Sequence, residues 1–319
     1  MRMRRLGSNG PQISVIGFGA WEAGGSDFLG PAPPREQLVE AVRAAIGAGM
    51  DWIDTAEVYG RGASEAVVAD ALQGHREAVL IATKVAPAPG GSGFRPEEVR
   101  RACQGSLRRL RTDRIDLYQL HWPDESRIPL EDTWGAMSGL VDEGMVRFLG
   151  VSNFDRPQIE LCEAIRHVDS VQNEFSMLTL DDRDLIAWCG EVGIGVVTYG
   201  PLGYGLLTGT ITADTIFDPH DFRSGHDAWE YWERLFAPGR LERSLALADA
   251  LRSIAERLGA TPGQVALAWN VQQAGVTAAI AGSRNPDHVR SNAGAGDLVL
   301  DAPTLRELDA LLSLGPAFA

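Results

Sequence analysis

Lysine is nearly missing from this chain of 319 residues: Lys84 is the single one, beside 28 arginines. A sequence that uses arginine almost everywhere, yet keeps one compact ammonium with a tunable pKa, marks a position that a wide guanidinium does not fill. Cysteine is scarce as well. Cys103, Cys162 and Cys189 are odd in number, far apart and without a CxxC pair, which indicates neither a disulfide framework nor a zinc site and fits a reducing cytoplasm. Long apolar runs are absent: none approaches the roughly 20 residues that span a bilayer. MRMRRLGSNG is basic but leads into no apolar segment, so it reads as neither signal peptide nor anchor. Basic residues are outnumbered 29 to 43, a formal charge of -14. Such a field repels nucleic acid and anionic membranes and leaves small molecules as the expected partners.

What is present is evenly distributed. With 45% apolar and 23% charged residues and no biased tract, the chain reads as globular, within the length of one α/β barrel. Eight short apolar runs recur: SVIGFG (14–19), DWID (51–54), AVLIAT (78–83), IDLYQL (115–120), VRFLGV (146–151), SVQN (170–173), IGVVTYG (194–200) and VTAAIAG (276–282). Continuous rather than alternating hydrophobicity suits strands covered on both faces of a parallel sheet.

Helical stripes lie between the runs. Leu38, Val39, Val42 and Ile46 precede a Gly49 stop; Val99, Ala102, Cys103, Leu107 and Leu110 form a second stripe, and Leu241, Leu245, Ala248, Leu251, Ile254 and Leu258 a third. TPGQVALAW opens with Thr261, Pro262 and Gln264 in capping-box positions, which predicts another helix before the last strand. Strand and helix alternate throughout, so residues 1–319 are expected to form one (β/α)8 TIM barrel rather than two domains. MRMRRL and QISVI around GSNGP predict an N-terminal β-hairpin. The long connection after strand 7, about 206–240, is expected to serve as a substrate loop. Its Trp229, Tyr231 and Trp232 are either lid contacts or packing that holds the loop to the barrel. Its Asp218, His220, Asp221, His226 and Asp227 lack metal-ligand spacing, and no metal is expected.

In a barrel the C-terminal ends of the strands converge on one face, where active sites are built. Asp54, Lys84 and His121 close the second, third and fourth runs, Asn153, Gln172 and Tyr199 the next three, and Ser283 with Arg284 follow the eighth. Singly, each has a plain structural use, as a turn cap, a core histidine or a backbone partner. Jointly they put a titratable group at three successive strand ends. Tyrosine, with a pKa near 10, is a poor proton donor at neutral pH, but an ammonium beside it favours the phenolate and lowers that pKa. Lys84 supplies the ammonium, Asp54 keeps it charged, and His121 can donate to the oxygen that Tyr59 protonates. Such a set suits carbonyl reduction, in which oxygen gains negative charge as carbon takes a hydride.

These motifs carry a resemblance. DTAEVYGRGASE, IATK, LHWPD, GVSNF, VQNEFSML, YGPLGYGLLTG and AGSRNPDHVRSNAGA fall in the order and spacing of the aldo-keto reductases, over nearly the whole chain. The resemblance implies a catalytic tetrad of Asp54, Tyr59, Lys84 and His121, with Tyr59 as general acid in reduction and base in oxidation. It implies that Ser152, Asn153 and Gln172 hold the nicotinamide carboxamide, that Tyr199 stacks on the ring, and that Leu202, Gly203 and Leu206 flank the pyrophosphate. Ser283 and Arg284 would hold the 2'-phosphate of NADPH, His288 the adenine side and Asn292 the adenine.

The chain has no Rossmann fingerprint and no P-loop, since GFGAWE lacks the third glycine. Asn285 and Pro286 instead begin a helix whose free N–H groups can take phosphate. Ala281, Phe175 and His288 depart from the family's common residues, and His288 leaves NADH beside NADPH as a cofactor. Trp21 and Trp122, just past the first and fourth strands, are candidate walls for a substrate pocket. The expected activity is reduction of a small aldehyde, dicarbonyl or sugar; a cofactor-binding regulatory subunit and a metal-dependent barrel lyase or hydrolase are the alternatives.

Overall fold

The eight apolar runs become the eight staves of a closed parallel barrel: β3 (Ile16–Gly19), β4 (Trp52–Asp54), β5 (Leu80–Val85), β6 (Ile115–Leu120), β7 (Val146–Ser152), β8 (Ser170–Glu174), β9 (Gly195–Tyr199) and β10 (Val276–Ala281). β10 pairs with β3 to close the ring. Every residue of β6 and of β10 is buried, the pattern that unbroken hydrophobicity demands when helices cover one face and the barrel interior the other. The computed structural model describes residues 1–25, 30–88, 93–124, 126, 128–225 and 230–313.

The N-terminal hairpin, β1 (Met3–Arg5) and β2 (Gln12–Ser14), pairs antiparallel as the sequence predicts. Its Leu6 and Ile13 pack with Trp52, Leu117, Val197 and Ile280 into a separate apolar cluster. Trp52 Nε1 donates to the carbonyl of Ser14 at 2.8 Å, so the hairpin seals the barrel at the end where the strands begin.

Outside the staves run α1 (Arg35–Gly47), α2 (Ala63–Ala71), α3 (Pro96–Leu110), α4 (Leu130–Asp142), α5 (Arg156–Glu163) and α6 (Arg183–Glu191). α3 illustrates why they form: Val99, Cys103 and Leu110 are buried on one face, Glu97 and Glu98 sit in the first turn, and Arg108 and Arg109 in the last, which suits the helix dipole. Asp155 and Gln158 complete a capping box at the start of α5.

Between β9 and β10 the chain inserts α7 (Glu230–Leu235), α8 (Arg240–Leu258) and α9 (Pro262–Asn270), and it ends with α10 (Pro286–Gly294) and α11 (Ala302–Ser313). Thr261 and Gln264 form the expected capping box of α9. The stretch read as a long loop is folded against the barrel in part: Phe222 is buried, and its ring meets those of Tyr204 at 5.3 Å and Phe236 at 6.0 Å. Trp232 packs on the core. His226, Asp227, Trp229 and the side chain of Tyr231 lie outside the described residues.

Candidate active site

The centre of the site is a fully buried ammonium. Lys84, on β5, donates from Nζ to Asp54 Oδ1 at 2.5 Å, to the Thr55 carbonyl at 2.9 Å and to Tyr59 Oη at 3.2 Å. Burial presses its pKa down; the charge of Asp54 and the contact with Tyr59 outweigh that and hold it above the ordinary value. Asp54 ends β4, and its second oxygen accepts from Gln172 Nε2 at 2.8 Å and Gln119 Nε2 at 3.4 Å. The parallel register makes this possible by setting Lys84 opposite Gln119 and Ser152 opposite Gln172.

Tyr59 reaches Lys84 because the chain after β4 turns in a few residues. Gly60 sits at φ 56°, and a Cβ there would stand 1.8 Å from the carbonyl oxygen of Gly24, so only glycine fits. His121 follows β6, with Nε2 3.5 Å from Tyr59 Oη and the rings edge to face at 5.5 Å. Burial, and then the charge of Lys84, push the imidazole pKa well below its ordinary value, so the ring is neutral near pH 7. Its Nδ1 has no hydrogen-bond partner among the described residues.

A cavity of about 1160 Å³ opens over these residues. Tyr59, His121, Trp21 and Trp122 line one region, and the wall continues through Ser152, Asn153, Gln172 and Tyr199 to Ser283, His288 and Asn292. Trp122 lies 4.6 Å from the His121 ring and Trp21 stands edge-on to Tyr204 at 6.1 Å, so both tryptophans border the same space. Asn153 takes a left-handed backbone, φ 63°. Its Nδ2 donates to the His121 carbonyl at 2.9 Å and its Oδ1 accepts from Tyr199 Oη at 2.8 Å, which ties Tyr199 to the strand end. Gln172 commits its NH2 to Asp54 and leaves its amide oxygen without a partner among the described residues.

Other expected residues stand elsewhere. Leu202 lines the cavity, whereas Gly203 and Leu206 are buried behind its wall, Leu206 within the core. Arg284 does not line the cavity: Nη1 donates to the Pro31 carbonyl at 2.9 Å and Nε lies 3.4 Å from Glu22 Oε2. Ser283 Oγ approaches His288 Nδ1 at 3.5 Å. Asn285 caps α10 by accepting from the Asp287 N–H at 2.9 Å, which occupies one of the amides expected to meet phosphate. Glu65 is buried, accepts from Thr83 Oγ1 at 2.7 Å and pairs with Arg109 at 2.5 Å, a support for the turn that carries Tyr59. Sequence reasoning passed over Gln119 and Tyr204. Gln119 had a signal, the one amide in a fully buried strand. Among the described residues no group of three or more His, Cys, Asp or Glu could hold a metal, and no helix is long and apolar enough to cross a membrane.

Residues 15–313 match the model of the aldo/keto reductase family. This chain belongs to that family. A probable aldo-keto reductase from Glycine max is 32% identical over 98% of this chain and 89% of its own length. The structure of a glycerol dehydrogenase from Gluconobacter oxydans superposes with a TM-score of 0.85 at 29% identity, covering 98% of this chain and 94% of that one. An aldo-keto reductase from Klebsiella pneumoniae, solved in complex with NADPH, reaches 0.74 at 32% identity, covering 98% and 96%. Aldo-keto reductases are oxidoreductases, and the buried ammonium network stands at the strand ends where the barrel places its chemistry.

Proposed function

We propose that this aldo-keto reductase is a single-domain cytoplasmic enzyme that reduces a small aldehyde, dicarbonyl or sugar with NADPH, and that Tyr59 is its general acid. The observation that carries the reading is the contact of one fully buried ammonium, Lys84, with both Asp54 and Tyr59. The cavity fits the cofactor at two places: the unpartnered Gln172 amide oxygen suits a carboxamide NH2, and Ser283, His288 and Asn292 offer polar groups at the other region. Ser152 and Asn153 would complete the carboxamide site and Tyr199 would back the ring. Arg284 would take the 2'-phosphate by exchanging Glu22 for it.

When bound, NADPH supplies the hydride. The protein's part is to manage charge at the carbonyl oxygen. Neutral His121 donates a hydrogen bond to that oxygen, and Tyr59 Oη delivers a proton to it. Lys84 stabilises the phenolate left on Tyr59, and Asp54 keeps Lys84 protonated while burial works against its charge. In the oxidative direction Tyr59 takes the proton back. Trp21 and Trp122 wall the carbonyl compound from water.

The test follows cofactor oxidation by absorbance, with NADPH or NADH and a panel of aromatic aldehydes, short dicarbonyls and aldoses. Tyr59→Phe should lower kcat by about 100-fold or more. Tight NADPH binding without turnover on any carbonyl would overturn the reading in favour of a cofactor-binding regulatory subunit.

A further inference from the structure

Among the described residues, four carboxylate or guanidinium side chains line the cavity: Glu22, Asp54, Arg61 and Arg223. Three are neutralised by protein partners. Asp54 holds Lys84 at 2.5 Å, Arg223 holds Asp221 at 2.6 Å, and Glu22 faces Arg284 at 3.4 Å. The guanidinium of Arg61 has no hydrogen-bond or ion-pair partner among the described residues.

The backbone of Arg61 adds an independent observation. Among the described residues, four non-glycine residues have positive φ: Arg61, Arg111, Asn153 and Tyr204. Each of the other three has a local reason. Arg111 ends α3 and pairs with Asp70 at 2.7 Å. Asn153 is tied to His121 and Tyr199. Tyr204 packs its ring against Trp21 and Phe222. Arg61, at φ 53° between Gly60 and Gly62, is exposed. A third glycine would adopt this turn without strain, so the structure keeps a strained arginine where its packing asks for none. Strain held at a cavity wall points to function.

We propose that Arg61 selects the substrate, and that the carbonyl compounds this enzyme prefers carry an anionic group, a carboxylate or a phosphate. The inference rests on the reductase reading and deepens it. Arg61 lies two residues from Tyr59 and lines the same cavity. A planar guanidinium suits both anions through paired N–H donors. A chain with a formal charge of -14 does not attract anions by its overall field, so a preference for them needs a local cation.

The experiment compares matched substrates: 4-carboxybenzaldehyde with benzaldehyde, succinic semialdehyde with butanal, and glyceraldehyde 3-phosphate with glyceraldehyde. Wild type should favour the anionic member of at least one pair in kcat/KM, and the pair identifies carboxylate or phosphate. In Arg61→Gly, which suits the left-handed backbone, that ratio should fall about tenfold, through KM rather than kcat. An unchanged ratio, or no preference in wild type, would overturn the proposal. So would a rise in the KM for NADPH without a change in the ratio, or a large loss of thermal stability, since either would give Arg61 a different task.

Benzoate and inorganic phosphate titrations, read by tryptophan fluorescence on the NADPH-loaded protein, separate the two readings. Binding of either anion that weakens about tenfold in Arg61→Gly, without turnover on any carbonyl, would remove the reductase reading and keep the anion site. Equal binding of both anions to wild type and variant would remove the site.

Discussion

Lys84 Nζ lies 2.5 Å from Asp54 Oδ1 with neither side chain more than 4% exposed, and Tyr59 Oη is a further partner of the same ammonium at 3.2 Å. A charge pair removed this far from water is costly to form and costlier to break on one side, because the surviving charge is left uncompensated.

Lys84→Met therefore has two expected effects. On the proposed mechanism turnover should be abolished, because Tyr59 would lose the ammonium that stabilises its phenolate, while NADPH affinity stays within a few-fold of wild type. Chemical denaturation should also report a loss of about 3 kcal/mol from the unpaired Asp54. An active Lys84→Met enzyme would refute the role assigned to the pair.

Arg284 is held by Glu22 and the Pro31 carbonyl, near enough to the cavity end at Ser283 to be drawn to a 2'-phosphate. Arg284→Ala is expected to raise the KM for NADPH about tenfold while that for NADH moves about twofold or less. Equal changes for both cofactors would mean that Arg284 serves only Glu22 and the loop.

A third expectation concerns pH. Burial pushes the Glu174 carboxyl up to about 7 from 4.5, against the pull of Arg234 on α7. In the unfolded chain this group ionises near 4.5, so between that pH and about 7 the folded protein binds more protons. The stabilisation is therefore complete below the unfolded pKa and is lost as pH rises through about 7. Melting curves from pH 5 to 8 should show wild type losing stability relative to Glu174→Gln as pH increases. Parallel curves would count against it.

Burial pushes the thiols of Cys103, Cys162 and Cys189 up to about 12, and thiolate, not thiol, is the reactive form. None of the three should react with a thiol-specific disulfide reagent in the folded protein. All three should react in denaturant. Stoichiometric labelling of the native state would contradict the burial.

The alternation of strand and helix was readable because it is a local property. A run such as AVLIAT has no polar face to offer water, and in a parallel barrel it needs none. Lys84, Asp54 and His121 were readable for a related reason: a polar residue that ends an apolar strand has its direction set by the barrel. Gln119 escaped notice because it lies inside the run IDLYQL, whereas Lys84, opposite it in the register, follows the end of AVLIAT. The motif places Leu206 at the pyrophosphate, whereas in the structure it is buried in the core, beyond the left-handed turn at Tyr204 and Gly205.

By itself the sequence determined the staves, the hairpin, the caps of α9 and α10, and the identity of the groups that meet at the barrel mouth, since each follows from hydrophobic period, capping chemistry or the chemistry of a strand end. Only the tertiary structure decided which partner each of those groups keeps. Gln172 gives its NH2 to Asp54, Arg284 turns to Glu22, and Arg61 is left with neither. Such choices depend on side chains brought together from distant parts of the chain, at distances of a few ångströms that no local pattern encodes.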